Sequence, residues 1–134
     1  MNRILVTGGR DYDDRQLVYH VLDRLLALRF KGAFVSIMHG NASGADRLAS
    51  DWAVSREMGE ERFPADWKTH GKAAGPMRNE AMVATKPDLG VCFPGGRGTA
   101  DCVRRMHAHG ITVVRGYRSE RSMGFERHHE EVSP

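Results

Sequence analysis

The chain has 134 residues, 40% of them hydrophobic and 28% charged, with a formal charge of +3, a size and balance that suit one domain able to bury its own core. Its two cysteines, Cys92 and Cys102, exclude a disulfide framework, and no apolar stretch nears the roughly 18 residues of a membrane span. The charge suits an anionic small ligand and is too mild to argue by itself for nucleic acid.

Met1-Asn2-Arg3 shows no secretory signal, so a reducing, cytoplasmic location without a membrane partner is expected. Ile4-Leu5-Val6-Thr7, stopped by Gly8-Gly9, reads as a buried strand. Asp11, Asp13 and Asp14 then offer helix caps, and Leu17, Val18, Val21, Leu22, Leu25 and Leu26 recur at helical spacing. Phe34 to Met38 predicts a second strand, Gly40 to Asp46 a loop, and Leu48, Ala49, Trp52 and Ala53 a second helix. Glu61-Arg62-Phe63 predicts a short third strand, and residues 64–76 a long, functional connection. Pro76 suits a first helical turn, with Met77, Ala81 and Met82 expected on the core side. Leu89 to Phe93 and Ile111 to Val114 predict two more strands around a helix carrying Val103 and Met106. This alternation predicts an α/β fold, doubly wound, with a mostly parallel five-stranded sheet and helices on both faces. Residues 1–116 are expected to form the domain and 117–134 a polar, mobile tail.

In such a sheet, ligands bind beyond the carboxyl ends of the strands. Three strands run into glycine-rich turns there, at Gly8-Gly9-Arg10, at Gly40-Asn41-Ala42-Ser43-Gly44, and at Pro94-Gly95-Gly96-Arg97-Gly98-Thr99. Glycine lets backbone N–H groups approach a phosphate in front of a helix N-terminus. One such loop alone is an ordinary tight turn, but three on one rim, with the guanidinium forks of Arg10 and Arg97, point to an anion. Neither a Gly-Lys-Ser/Thr phosphate loop nor a dinucleotide Gly-x-Gly-x-x-Gly is present. Thr99 is expected at the N-cap of the following helix, free to cap or to touch phosphate. Asp46 and Asp101 read either as helix-dipole partners or as groups that contact ribose and stabilise a cationic sugar. Arg78, beside Asn79 in a first helical turn, is unfavourable there unless an anion is present. Trp67 is read as a base-stacking group or as a loop anchor. No metal-binding spacing occurs, and no metal or separate cofactor is expected.

Four segments, Val6 to Tyr12, His39 to Asp46, Ala73 to Asn79 and Phe93 to Thr99, together resemble the YspA-like, YpsA-related branch of the SLOG superfamily over about residues 3–115. The resemblance implies a Rossmann-like fold, a nucleoside monophosphate, NAD or ADP-ribose-like ligand, and a homo-oligomer. The related Lonely Guy phosphoribohydrolases split the N-glycosidic bond of a nucleoside 5′-monophosphate with a Pro-Gly-Gly-x-Gly-Thr-x-x-Glu motif and an upstream Arg. Pro94 to Thr99 match that motif, and Arg78 matches the Arg. The glutamate position holds Cys102, and the nearest acid, Asp101, is rotated by about 100° on a helix. The expected function is therefore binding of a nucleotide or its derivative, with N-glycosidic hydrolysis by Asp46, Arg78 or Asp101 as its enzymatic form. The alternatives are a non-catalytic nucleotide sensor or sponge and, through the related DNA-processing Smf/DprA proteins, a single-stranded DNA role. The mild charge and the lack of basic and aromatic stripes count against the last.

Overall fold

A strand covered on both faces must present apolar groups at every position, not at alternate ones, and the first strand does so. The computed structural model describes residues 2–130. In it, β1 (Asn2–Thr7) buries its last four residues, with Ile4 and Val6 in one core cluster and Leu5 in the other. The chain continues through α1 (Arg15–Leu28), β2 (Val35–His39), α2 (Ala45–Ser55) and β3 (Gly59–Arg62). It then runs through α3 (Trp67–His70), a 3-10 turn (Gly71–Ala73), α4 (Ala74–Ala84), β4 (Leu89–Cys92), α5 (Arg97–Ala108), β5 (Val113–Arg118) and β6 (Met123–His128).

The sheet has six strands in the order β3-β2-β1-β4-β5-β6. The first five are parallel, with Ile4 level with Ile37 of β2 and Leu89 of β4, and β6 is antiparallel to β5. One face carries α1 and α2, where Leu17, Val21, Leu22 and the fully buried Trp52 pack on Ile4, Val6, Ile37 and Val91. The other carries α4 and α5, where Met82, Val83, Val103 and Met106 pack on Leu5, Met38, Cys92 and Val113. After β3 the chain crosses back to lay β4 on the far side of β1. The carboxyl ends of β1 and β4 are thus the point where the strand order reverses, and a crevice opens there.

Three expectations give way. The sheet has six strands, not five, because residues 123–128 pair with β5 instead of forming a polar tail beyond 116. β6 shows no sustained period because its cover is partial on both faces: Met123 and Phe125 lie partly buried against the α1 layer, and on the other face His128 meets His107 of α5 at 2.9 Å while Glu126 faces solvent and pairs with Arg115, as edge strands often carry charge. The stretch 64–76, expected as a long connection, holds helical turns of its own. Asp66 caps α3 by accepting the Thr69 amide at 3.2 Å, and α4 already begins at Ala74. Packing on the sheet turns Ala74, Gly75, Asn79, Met82 and Val83 inward, leaving Met77 49% exposed and Ala81 on the solvent side.

Replacing both Met123 and Phe125 by Ser is expected to cost about 2 kcal/mol, as their packing on the α1 layer is lost. An unchanged urea midpoint would show that β6 carries no share of the stability.

Candidate functional site

Backbone amides at the crevice bind the loops to one another before any side chain takes part. The Phe93 amide donates to the Thr7 carbonyl at 3.0 Å, and the Gly9 amide donates to the Pro94 carbonyl at 2.9 Å. The Gly9 carbonyl accepts from the Ala45 amide at 3.1 Å, and the Ser43 hydroxyl donates to the Arg10 carbonyl at 2.8 Å. Gly44 makes this closure possible: its φ is +73°, and a Cβ there would overlap the Gly9 carbonyl. The three glycine-rich turns therefore meet at one rim, around a cleft of about 800 Å³. A smaller hollow of about 280 Å³ adjoins it at the end of β2.

Convergence does not leave every amide open. The Gly9 N–H is taken by Pro94, so within the Gly8-Gly9 pair Gly9 fastens loops together. The open amides lie at α5. Gly96, not Thr99, is its N-cap, and the first helical bond runs from the Ala100 amide to the Gly96 carbonyl at 3.1 Å. The amides of Arg97, Gly98 and Thr99 have no acceptor one turn back within the helix. All three residues line the cleft, and the Thr99 side chain folds back over Gly95.

Asp46 and Asp101 occupy different electrostatic settings. Asp46, 6% exposed at the start of α2, accepts from the Gly40 and Ala42 amides at 3.0 and 3.2 Å through Oδ2. Its Oδ1 has no partner among the described residues, and no buried side-chain oxygen there is left unpaired, so Oδ1 opens onto the cleft it lines. Burial pushes this carboxyl above its ordinary range, against the two amides and the nearby His39 and Arg78. Asp101 also pays some burial, but Arg105 at 2.9 Å, Asn79 at 3.0 Å and Arg104 at 2.6 Å outweigh it and hold the carboxyl below the ordinary range. Both of its oxygens are occupied. Cys102 is fully buried in the core, and burial pushes its thiol up to about 12, so no acid and no ready thiolate stands at that position.

The cations are split in the same way. Arg78 donates through Nη1 to the Gly40 carbonyl at 2.5 Å and to the Phe63 carbonyl at 3.4 Å, and through Nε to Asn79 at 2.9 Å. A Cβ at Gly40 would meet this guanidinium and displace it from its present position. Arg78 is thus partly a loop fastener, and its Nη2 has no partner among the described residues. The buried Asn79 joins it to the Gly98 carbonyl at 3.2 Å as well as to Asp101. Arg10 lies 5.0 Å from the Trp67 ring centroid, and Trp67 stays 46% exposed at the rim. Arg97 is exposed and has no hydrogen-bond partner among the described residues. Asn41 and Ser43 line the smaller hollow, not the main cleft.

The sequence reading missed two cleft cations, Lys72 and Arg104. Arg104 was signalled by its i,i+3 spacing from Asp101. Lys72 had no signal, since only the 3-10 turn brings it to the rim. With them, Arg10, Lys72, Arg78, Arg97 and Arg104 line the cleft against two carboxylates, an arrangement that attracts anions. The support beneath β2 was also missed. Buried His39 bonds Glu60 at 2.6 Å through Nε2 and accepts the Asn41 amide at 3.0 Å through Nδ1.

Burial works against ionisation of Glu60, yet hydrogen bonds from Arg62, Ser50 and His39 prevail and hold it at about 2. Its folded value thus lies below the ordinary 4.5, so its contribution is full above about pH 4.5 and is lost as the pH falls towards about 2. Glu60→Gln is expected to flatten the acid limb of stability in that window, measured by urea denaturation against pH; an unaltered limb would refute the assignment.

Comparison with known proteins places this geometry in a group. The chain is 40% identical over 121 residues to the Gene 61 protein of Mycobacterium phage D29, covering 85% of this chain and 95% of that protein. The solved structure of TM1055 superposes with a TM-score of 0.65 at 20% identity, over 84% of this chain and 72% of that one. DNA processing protein A (DprA) from Streptococcus pneumoniae does so with a TM-score of 0.67 at 16% identity, over 84% of this chain and 49% of that one. At these identities the two structures share the fold alone. A family model matches residues 2–70, and with it the chain belongs to YAcAr, the YspA, cpYpsA-related SLOG family.

Proposed function

We propose that the cleft binds a nucleotide or nucleotide-derived ligand, with its phosphate against the open amides of Arg97, Gly98 and Thr99 and its sugar towards Asp46. The observation that carries this reading is the first turn of α5 at the strand-order reversal, with unbonded amides, a helix dipole and the cations Arg97, Arg104 and Lys72 facing one space. Such a turn is a ready anion site. Pro94 and Gly95 shape the turn, and Gly8 and Gly9 form the floor on which it rests.

In the enzymatic form of this reading, the ligand loses its base by hydrolysis of the N-glycosidic bond. Asp46 is then the better of the two acids, since Oδ1 faces the cleft while Asp101 is held by guanidinium groups. A carboxylate beside the anomeric carbon stabilises an oxocarbenium-like transition state; as the bond from that carbon to the base nitrogen breaks, water gives its hydroxyl to the carbon and its remaining proton to the departing base. Asp101 serves to position Asn79 and the arginines of α5. In the second reading the protein is a non-catalytic sensor, and the buried Cys102 at the Lonely Guy glutamate position favours it. Incubation with AMP, NAD and ADP-ribose followed by chromatography separates them: free base supports the hydrolase, and intact recovered ligand supports the sensor. A DNA-handling role has support from fold alone, and a salt-sensitive shift of single-stranded DNA would establish it.

Arg97→Ala is the cleanest test of the phosphate site. It is expected to weaken AMP binding by about 1.5–3 kcal/mol and to change folding stability by less than about 0.5 kcal/mol, read by calorimetry and urea denaturation. Unchanged affinity would remove the Arg97 guanidinium from the site. Arg78→Ala is less clean, because it also strips donors from the Gly40 and Phe63 carbonyls. Asp46→Asn is expected to lower turnover by about 10²–10³-fold while AMP still binds; full turnover by this variant would exclude Asp46 as the acting group.

A further inference from the structure

The smaller hollow differs from the main cleft in chemistry. It shares Arg10, Gly40, Ala42, Trp67 and Arg78 with the cleft, yet the residues that open α5 do not line it. Its own walls are Pro64 and Ala65, which are apolar, and Asn41 and Ser43, which are polar. A flat aromatic group needs such a mixture: a ring or apolar surface for its faces, and a few directed donors and acceptors for its edge.

Asn41 is the informative residue. Its φ is +59°, a left-handed conformation that costs energy for a residue with a side chain and that asparagine tolerates better than most. The fold holds it there: the Asn41 amide donates to His39 Nδ1, and buried His39 is locked in turn by Glu60. Its carboxamide makes no hydrogen bond among the described residues, so one donor pair and one acceptor are left open. A restrained backbone carrying an open amide at a hollow is the arrangement of a recognition group. Trp67 is the second observation. It is exposed but not loose, since its ring edge rests on Gly75 and the Arg10 guanidinium lies over it.

We infer that this hollow is a nucleobase subsite for an adenine-type base. The base stacks against Trp67, and the Asn41 carboxamide reads its edge, giving to N7 and taking from the N6 amino group, the pairing that an asparagine amide makes with adenine. Guanine offers acceptors at both positions and leaves the Asn41 oxygen unmatched. The inference rests on the phosphate reading above, because the sugar runs from the hollow into the main cleft towards α5.

The test measures binding of AMP, GMP and ribose 5-phosphate by calorimetry to the wild type, Trp67→Ala, Trp67→Phe and Asn41→Gly. In the wild type, AMP is expected to bind more tightly than GMP and than ribose 5-phosphate. Trp67→Ala is expected to weaken AMP about 5- to 150-fold and to leave ribose 5-phosphate unchanged, with Trp67→Phe in between. Asn41→Gly keeps the left-handed backbone and the urea midpoint, and is expected to bring AMP and GMP to equal affinity. Equal wild-type affinity for AMP and ribose 5-phosphate, or a Trp67→Ala loss shared by ribose 5-phosphate, overturns the subsite while leaving the phosphate site standing. Wild-type GMP affinity matching that of AMP overturns the adenine assignment. Failure of both AMP and ribose 5-phosphate to bind overturns the phosphate reading, and the subsite with it.

Discussion

The peptide group of Gly9 carries a constraint that the rest of the site depends on. Its N–H is bonded to the loop after β4 and its carbonyl to the first amide of α2, so one residue at the end of β1 ties together the segments that follow three strands. Each bond is worth only about 0.5–1.5 kcal/mol net. Their geometric effect is larger, because both bonds form only if the loops approach to backbone contact. Gly44 permits that approach with a left-handed φ and no Cβ. Since the backbone does the fastening, the side chains at the loop tips, Arg10, Arg97 and Asn41, are left to face the open space.

The same economy separates the charges that hold the site from those free to act. Arg78 and Asn79 reach from α4 to the loop after β2 and to the start of α5, and Asp101 gathers Arg104 and Arg105 on α5 itself. These groups largely satisfy one another. Among the described residues, what is left unmatched in the cleft is cationic at Arg10, Arg97 and Lys72 and acidic at one oxygen of Asp46. A buried carboxyl whose ionisation is opposed by burial, set beside a cluster of cations, has its charge state coupled to whatever anion enters. Cys102, in contrast, belongs to the core. It shares a cluster with Leu5, Met38 and Met106, which gives its thiol an apolar setting.

Further from the ligand, rigidity comes from the sheet. His39 ends β2 between Glu60 of β3 and the Asn41 amide, and so passes the fixed spacing of two paired strands to the loop that follows. On the opposite side, β6 closes the edge beyond β5, and Arg118 reaches Asp14 at 2.7 Å, the residue that caps α1. Both arrangements secure the loops at strand ends from below.

The amino-acid sequence by itself determined the layers and the rim. Apolar runs such as Ile4 to Val6, the helical spacing of Leu17 to Leu25 and the glycines after three strands are local signals, because burial on two faces and tight turns impose residue types at fixed short distances. Only the tertiary structure decided how hydrogen-bonding capacity is divided. That the Gly9 amide is consumed by Pro94, that Arg78 is turned onto Gly40, that Asp101 is saturated while Asp46 keeps one oxygen open, and that Lys72 joins the cleft all depend on groups far apart in the chain. The same holds for β6, whose polar residues become a strand because β5 offers an unpaired edge. A donor or acceptor has many partners within reach of its chemistry, and folding selects among them by bringing distant segments to contact, a choice that no local pattern of residues encodes.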